Sequence, residues 1–417
     1  MKRRNFLKML GISTITTTIP RLTFGQSNDL DQYFIYINAN GGWDVTYFCD
    51  PKVNEVGKPV ITNWSKEASP GKTGEISYAP VANNKYFFEK HRDKTLVING
   101  VNMNTVNHTS GAIYSTSGKI ARTHPTLSAL NSSNASSELA IPFMTSLAYK
   151  NTKGLVSGFN LSGSSDDQIS RAAYPYHQGG NLTRQVYMDS EEALLESAHS
   201  SAIDRLLERS SLLEGDSERV RQYNKTKQQS QSLHNLAEYH KTLIENAPDG
   251  INETFVFMMA GLCSGYTSSA DIGSGGFDSH ADNDARQIDS LEALTRQIDY
   301  VWDVAEAGGI ADRLTVLVGS DFSRTPSYNK GAGKDHWPVG SFLVMNQNAG
   351  FGNKVIGSTT SGHYAHKIDM STLEVDESNG EYLTPEHVHY LVREHLGLNQ
   401  TEQGIKYALG VVNPINI

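Results

Sequence analysis

Five short runs along the chain are built from aromatic and β-branched residues with no polar alternation, the pattern of inner strands covered on both faces. They span residues 33–38, 96–101, 255–260, 314–319 and 341–345. Between the third and fourth, Ile288, Leu291, Leu294, Ile298, Trp302 and Ala305 recur at helical spacing, and Gly308-Gly309 supplies a stop. Thr384-Pro385-Glu386 gives an N-cap, a proline in the first turn and an acid beside it, so a helix through Leu396 is expected. Residues 190–246 are polar, with Leu194, Leu195, Ile203, Leu206, Leu207, Leu212 and Leu213 in helical groupings. They predict a helical insertion over about 188–247, either a lid on the sheet's active edge or a surface hairpin with no role in function. The Ser/Asn-rich stretch 131–137 reads as a loop. Strand, helix, strand alternation argues for an α/β sandwich around a mostly parallel central sheet.

Composition and charge narrow the picture. Lys2-Arg3-Arg4-Asn5-Phe6-Leu7-Lys8 is a twin-arginine pattern, and the Thr-rich run that follows is too short and polar to span a bilayer. Residues 1–26 are therefore expected to be a cleaved leader, with a basic disordered tail as the other reading. The leader implies the twin-arginine export machinery of a bacterial or archaeal host and a periplasmic or secreted product. Residues 27–417 would form one domain, with no membrane span. A net charge of -9 leaves no basic face for nucleic acid. Cys49 and Cys263 lack metal-ligand spacing; either they pair in an oxidising compartment or they stay as two buried thiols.

The chemistry gathers in three segments: Gly275-Gly276-Phe277-Asp278-Ser279-His280, Gly319-Ser320-Asp321-Phe322-Ser323-Arg324-Thr325-Pro326, and Lys334-Asp335-His336-Trp337. Open α/β sheets carry their sites at the downstream ends of strands. Asp278 and His280, two apart in extended chain, point the same way and suit joint ligation of zinc or manganese; an Asx-turn beside a solvated histidine is the plainer account. Asp44 follows the first strand behind Gly41-Gly42, aimed into the crevice or capping a turn. Asp321 closes the fourth strand, and Arg324 either holds an anionic oxygen or pairs with an Asp to fix its loop. His336 is a candidate ligand or general acid. His108-Thr109-Ser110-Gly111 opens a helix where a nucleophilic hydroxyl, Thr109 or Ser110, would gain from the dipole; an ordinary N-cap also looks like this.

Together these residues resemble a bacterial secreted family, domain of unknown function 1501, in the alkaline-phosphatase-like (sulfatase-like) superfamily. The matching pieces are the twin-arginine start, Gly41-Gly42-Trp43-Asp44, the segment 108–118, the Asp278-Ser279-His280 stretch, Arg324-Thr325-Pro326 with Asp335-His336-Trp337-Pro338, and the Thr384-Pro385-Glu386 helix. The resemblance implies a three-layer sandwich whose strand ends hold divalent cations on Asp and His, with a Ser, Thr or modified Cys as nucleophile. Carried over, Asp44 and Asp321 would serve one metal and Asp278, His280 and His336 another, the ion being zinc, manganese or calcium. His108, Thr109, Ser110 and Arg324 would form the catalytic set toward an anionic ester.

The chain also departs from the superfamily pattern. Phe322 stands where a ligand histidine is usual, which points to one ion rather than two. Asp278 and His280 are two apart instead of four, and neither Cys49 nor Cys263 lies where a modified Cys would. Two functions are expected from this: a metal-dependent hydrolase of phosphate or sulfate esters, or a catalytically degenerate relative acting as an envelope binding or assembly protein. Convergence of His108, Thr109 and Asp44 around Asp278 and His280 would favour the first; Phe322 filling that space would favour the second.

Overall fold

The computed structural model describes residues 30–135, 139–162, 184–208 and 230–415, with residues 170, 173, 177, 178 and 220. The expected leader, 1–26, and Leu212 and Leu213 of the insertion lie outside these residues. Eight strands form the central sheet: β1 (Tyr33–Ala39), β2 (Thr95–Asn102), β3 (Phe143–Thr145), β4 (Gly158–Asn160), β5 (Ser269–Ser274), β6 (Leu314–Ser320), β7 (Val339–Met345) and β8 (Lys354–Ile356). Their order is β8-β2-β7-β6-β1-β5-β3-β4. All neighbours run parallel except β7, which is antiparallel to both β6 and β2.

β1, β2, β6 and β7 each serve two cores, as their unbroken apolar runs require. On β1, Tyr33, Ile35, Ile37 and Ala39 enter one core, while Phe34 and Tyr36 enter the other. The first core lies under α1 (Asn84–His91), α6 (Glu253–Cys263) and α7 (Asn283–Ala307), which contribute Phe87, Phe88, Met258, Leu291, Ile298 and Trp302 among others. The second lies under α2 (His108–Ser117), α3 (Leu127–Asn134) and α8 (Pro385–His395), with Leu127, Leu130, Val388 and Val392. The result is a three-layer α/β sandwich. Within residues 188–247, α4 (Asp189–Leu207) and α5 (Ser230–Asn246) are helices, and Leu233, Leu236 and Ala237 of α5 join the first core. Among the described residues no helix is long and apolar enough to cross a membrane.

Two expected elements differ. Residues 255–260 are not a strand but the middle of α6, capped by the Asn252 side chain accepting from the Thr254 amide at 2.9 Å. A short, wholly apolar run has no periodicity to separate a buried helix from a buried strand. The inner strand of that region is β5, whose sequence Ser-Ala-Asp-Ile-Gly-Ser hides it. The Ser/Asn-rich stretch is likewise helical through Asn134, because its polar side chains bond to the sheet. Ser128 Oγ donates to the Ala270 carbonyl at 3.2 Å, and Asn131 Nδ2 to Ser269 Oγ at 2.9 Å. Cys49 and Cys263 are both free thiols: Cys49 sits beside Asn99, Cys263 beside the Val304 carbonyl.

Candidate metal centre

Four strand ends and one strand start meet at a single edge of the sheet. β1 runs into Gly41, whose φ of +110° and closeness to Asp278 admit only glycine; a Cβ there would lie 2.5 Å from the Asp278 amide nitrogen. β6 ends at Asp321. The chain leaving β2 enters α2, where Asn107 caps the helix by accepting from the Ser110 amide at 3.1 Å and His108 takes the first turn. The loop after β5 carries Asp278 and His280. His336 comes from a two-residue ribbon, Ser323–Arg324 paired with His336–Trp337, just before the reversed β7.

The side chains converge. His280 Nε2 lies 2.9 Å from His336 Nε2 and 3.2 Å from Asp278 Oδ1, and His108 Nε2 is 3.9 Å from Asp278 Oδ2. Ligand-type atoms of His108, Asp278 and His336 all fall within 4.8 Å of one another. Each imidazole is held from behind through Nδ1. His108 bonds Asp321 Oδ2 at 2.8 Å, His280 bonds Asp335 Oδ1 at 3.0 Å, and His336 bonds the Val106 carbonyl at 2.7 Å. A donor at Nδ1 fixes the tautomer and leaves the Nε2 lone pair free to bind, as around metal-ligating histidines. Ligand atoms around a tetrahedral zinc stand about 3.3 Å apart, and the spacings here bracket that value. Three nitrogens and one carboxylate suit zinc or a neighbouring transition ion; calcium prefers an all-oxygen shell.

Electrostatics agree with ligand roles. Burial opposes ionisation of Asp278, but its hydrogen bond to Arg324, with the nearby His280 and His108, holds its carboxyl below the usual range. Burial pushes His336 below the ordinary imidazole value, against the pull of the Val106 carbonyl, and this favours the neutral, binding form. The hydrogen bonds from His280 and Asn329 keep Asp335 low.

Several expected roles shift. Asp44 is not in the cluster: it is wholly buried, with Oδ2 bonded by Lys334 Nζ at 2.6 Å and Asn283 Nδ2 at 3.0 Å, and Oδ1 by Thr46. Asp321 stands behind His108 instead of beside Asp44, and also accepts from Asn38 Nδ2 at 2.8 Å and the Gly41 amide at 3.1 Å. Arg324 presents no fork to an anion. It is fully buried, donating to the carbonyls of Gly41, Gly42 and Lys334 and to Asp278 Oδ1 at 2.7 Å. His108, expected to act with the hydroxyls, lies among the ligand candidates. Thr109 is exposed and Ser110 half-buried in the same first turn of α2. Phe322 is buried with its ring packed on His108 and His336, centroids 4.6 and 4.3 Å away. Lys334, Asn38 and the Val106 carbonyl were not foreseen. A polar Asn38 ending an apolar strand was a usable signal; a Lys in a glycine-rich loop was not.

The fold is similar to that of the lipoteichoic acid synthase LtaP from Listeria monocytogenes, at 8% identity and a TM-score of 0.39, over 100% of this chain and 83% of that one. It is similar to the alkaline phosphatase from the Antarctic bacterium TAB5, at 8% identity and a TM-score of 0.36, over 88% and 99% of the two chains. It is also similar to BT4656 in complex with its substrate D-glucosamine-2-N,6-O-disulfate, at 9% identity and a TM-score of 0.32, over 86% and 80%. Among curated proteins, none matches the sequence. Residues 32–367 match the family model described as "Protein of unknown function (DUF1501)", a span that takes in every residue of the cluster and stops before α8, and the chain belongs to that family.

Proposed function

We propose that the chain is an exported hydrolase of phosphate or sulfate esters that works with one divalent transition-metal ion held by His108, Asp278, His280 and His336. The observation that carries this reading is the grouping of ligand-type atoms of His108, Asp278 and His336 within 4.8 Å of one another, with His280 Nε2 2.9 Å from His336 Nε2 and each ring's Nδ1 tied to an acceptor. A bound ion would supply Lewis acidity toward an ester oxygen. The chain's own part is positional. Asp321, Asp335 and the Val106 carbonyl hold the three rings, and Arg324 holds Asp278. Thr109, exposed at the helix start beside His108, is the candidate attacking hydroxyl, with Ser110 next to it. Over a full turnover one water is consumed: the P–O or S–O bond to the alcohol breaks, a bond to water oxygen forms, and the alkoxide takes the proton. The twin-arginine leader supports export, and the product would work in the periplasm or outside the cell.

A second reading draws on a separate observation. Phe322 packs on two of the histidines, and Lys334 already neutralises Asp44. That pattern favours a degenerate relative in which one ion, or none, serves as a structural clip on an envelope binding or assembly protein. Elemental mass spectrometry on natively exported protein separates the two, with an Asp278→Ala, His280→Ala variant alongside. Near-stoichiometric zinc or manganese, lost in the variant and accompanied by turnover in an ester screen, supports the hydrolase. A folded, metal-free protein removes it.

A further inference from the structure

We propose that the site takes singly charged tetrahedral esters, sulfate monoesters or phosphodiesters, in preference to doubly charged phosphate monoesters. This deepens the hydrolase reading and rests on it. The argument begins with where the chain keeps its positive charge. Arg324 is wholly buried with its donors committed to three backbone carbonyls and Asp278. Lys334 is wholly buried against Asp44. Among the described residues, no other Lys or Arg side chain contacts His108, Asp278, His280 or His336. Among the described residues, an arriving anion therefore meets neither the guanidinium fork nor the free ammonium that dianionic phosphate sites use.

Negative charge, by contrast, is at the surface of the site. The side chains of Asp278 and Asp335 are 54% and 59% exposed. Imidazoles that bind a metal do so neutral. With one divalent ion in place, Asp278 offsets Arg324, Asp44 offsets Lys334, and Asp321 with Asp335 offset the ion. The sum is close to zero. A sulfate monoester or a phosphodiester brings one negative charge to this site. A phosphate monoester brings a second, with the exposed Asp335 carboxylate nearby and no cation among the described residues left to meet it.

The test uses the full exported chain reconstituted with zinc. Calorimetry at pH 8, well above the second phosphate pKa of about 6, compares methyl sulfate, dimethyl phosphate and methyl phosphate. Turnover of the corresponding 4-nitrophenyl esters is followed in parallel. One of the two monoanions should bind about tenfold or more tighter than methyl phosphate, and which one does tells sulfate from diester. Asp335→Asn, with its zinc content checked, should narrow that gap. Methyl phosphate binding as tightly as either monoanion overturns the charge argument while leaving the hydrolase reading in place. Full zinc occupancy with no binding of any probe, or no zinc at all, removes the hydrolase reading and this inference with it.

Discussion

Lys334 and Asp44 form an ion pair 2.6 Å long with both side chains withdrawn from solvent, joining the loop that carries Asp335 and His336 to the end of β1. Asn283 and Thr46 complete the carboxylate's hydrogen bonds, and the Lys334 ammonium faces the rings of Tyr47 and Tyr328 at 5.4 and 5.2 Å. Removing one partner of such a pair strands a buried charge, whereas replacing both does not. Lys334→Met should lower stability by about 3–5 kcal/mol, and Asp44→Asn with Lys334→Met should recover most of it. Urea unfolding measures both. A Lys334→Met loss under about 1 kcal/mol would show that the pair matters no more than a surface contact.

Asp321 touches the cluster only through His108, so its removal should loosen metal without emptying the site. Asp321→Ala is expected to weaken zinc binding about 10–100-fold, read by competition with a chromophoric chelator. Unchanged affinity would mean that His108 needs no orienting partner.

Gly111 lets α2 lie against the end of β6: a Cβ there would stand 2.0 Å from the Asp321 carbonyl oxygen. Gly111→Ala must push the helix, and His108 with it, away from the other ligands. A stability loss of about 1–3 kcal/mol and reduced zinc stoichiometry should appear together. Gly275→Ala, where nothing lies within 4 Å of the added methyl, is the control and should change neither. Gly111→Ala that keeps full zinc content would show that the helix can shift without moving His108.

Asp271 is fully buried on β5, where burial drives its pKa up to about 7, with the Ser128 and Thr126 hydroxyls pulling the other way. Its unfolded value is about 3.9. The folded state thus keeps a proton that the unfolded chain releases, and the associated stability, full below pH 4, is lost as pH rises toward 7. Relative to wild type, Asp271→Asn should gain stability across that window, on the order of 4 kcal/mol by pH 8. Denaturation midpoints at several pH values report it; a pH-independent difference between the two proteins would contradict the assignment.

Much of the framework was legible because local chemistry and burial agree there. β1, β2, β6 and β7 announced themselves by continuous apolar runs, α7 by its period and its Gly308 stop, and α8 by Thr384-Pro385. β5 was not, because Ser269, Asp271 and Ser274 break any apolar run, and only in the fold do Ser128 and Asn131 of α3 bond to that strand. The direction of β7 was hidden too, since an apolar run carries no sign of its polarity. At the site, Asp278, His280 and His336 were marked by residue type and spacing and are brought together. Asp44 was expected either to serve a separate ion with Asp321 or to cap a turn, but its partner Lys334 lies far along the chain, and only the packed structure reveals that the carboxylate is already taken.

The reversed strand has a consequence for how the molecule comes into being. β7 lies between β6 and β2, so β2 has no bridge to β1 or β6 except through it. While the chain is being made, the strands from β6 across to β4 can pair without it, but β2 cannot join the sheet before residues 339–345. The stretch that delivers His336 is the one immediately before that late strand. One continuous stretch thus both delivers a ligand and joins β2 to the rest of the sheet, so metal uptake during refolding is expected to report the arrival of that strand.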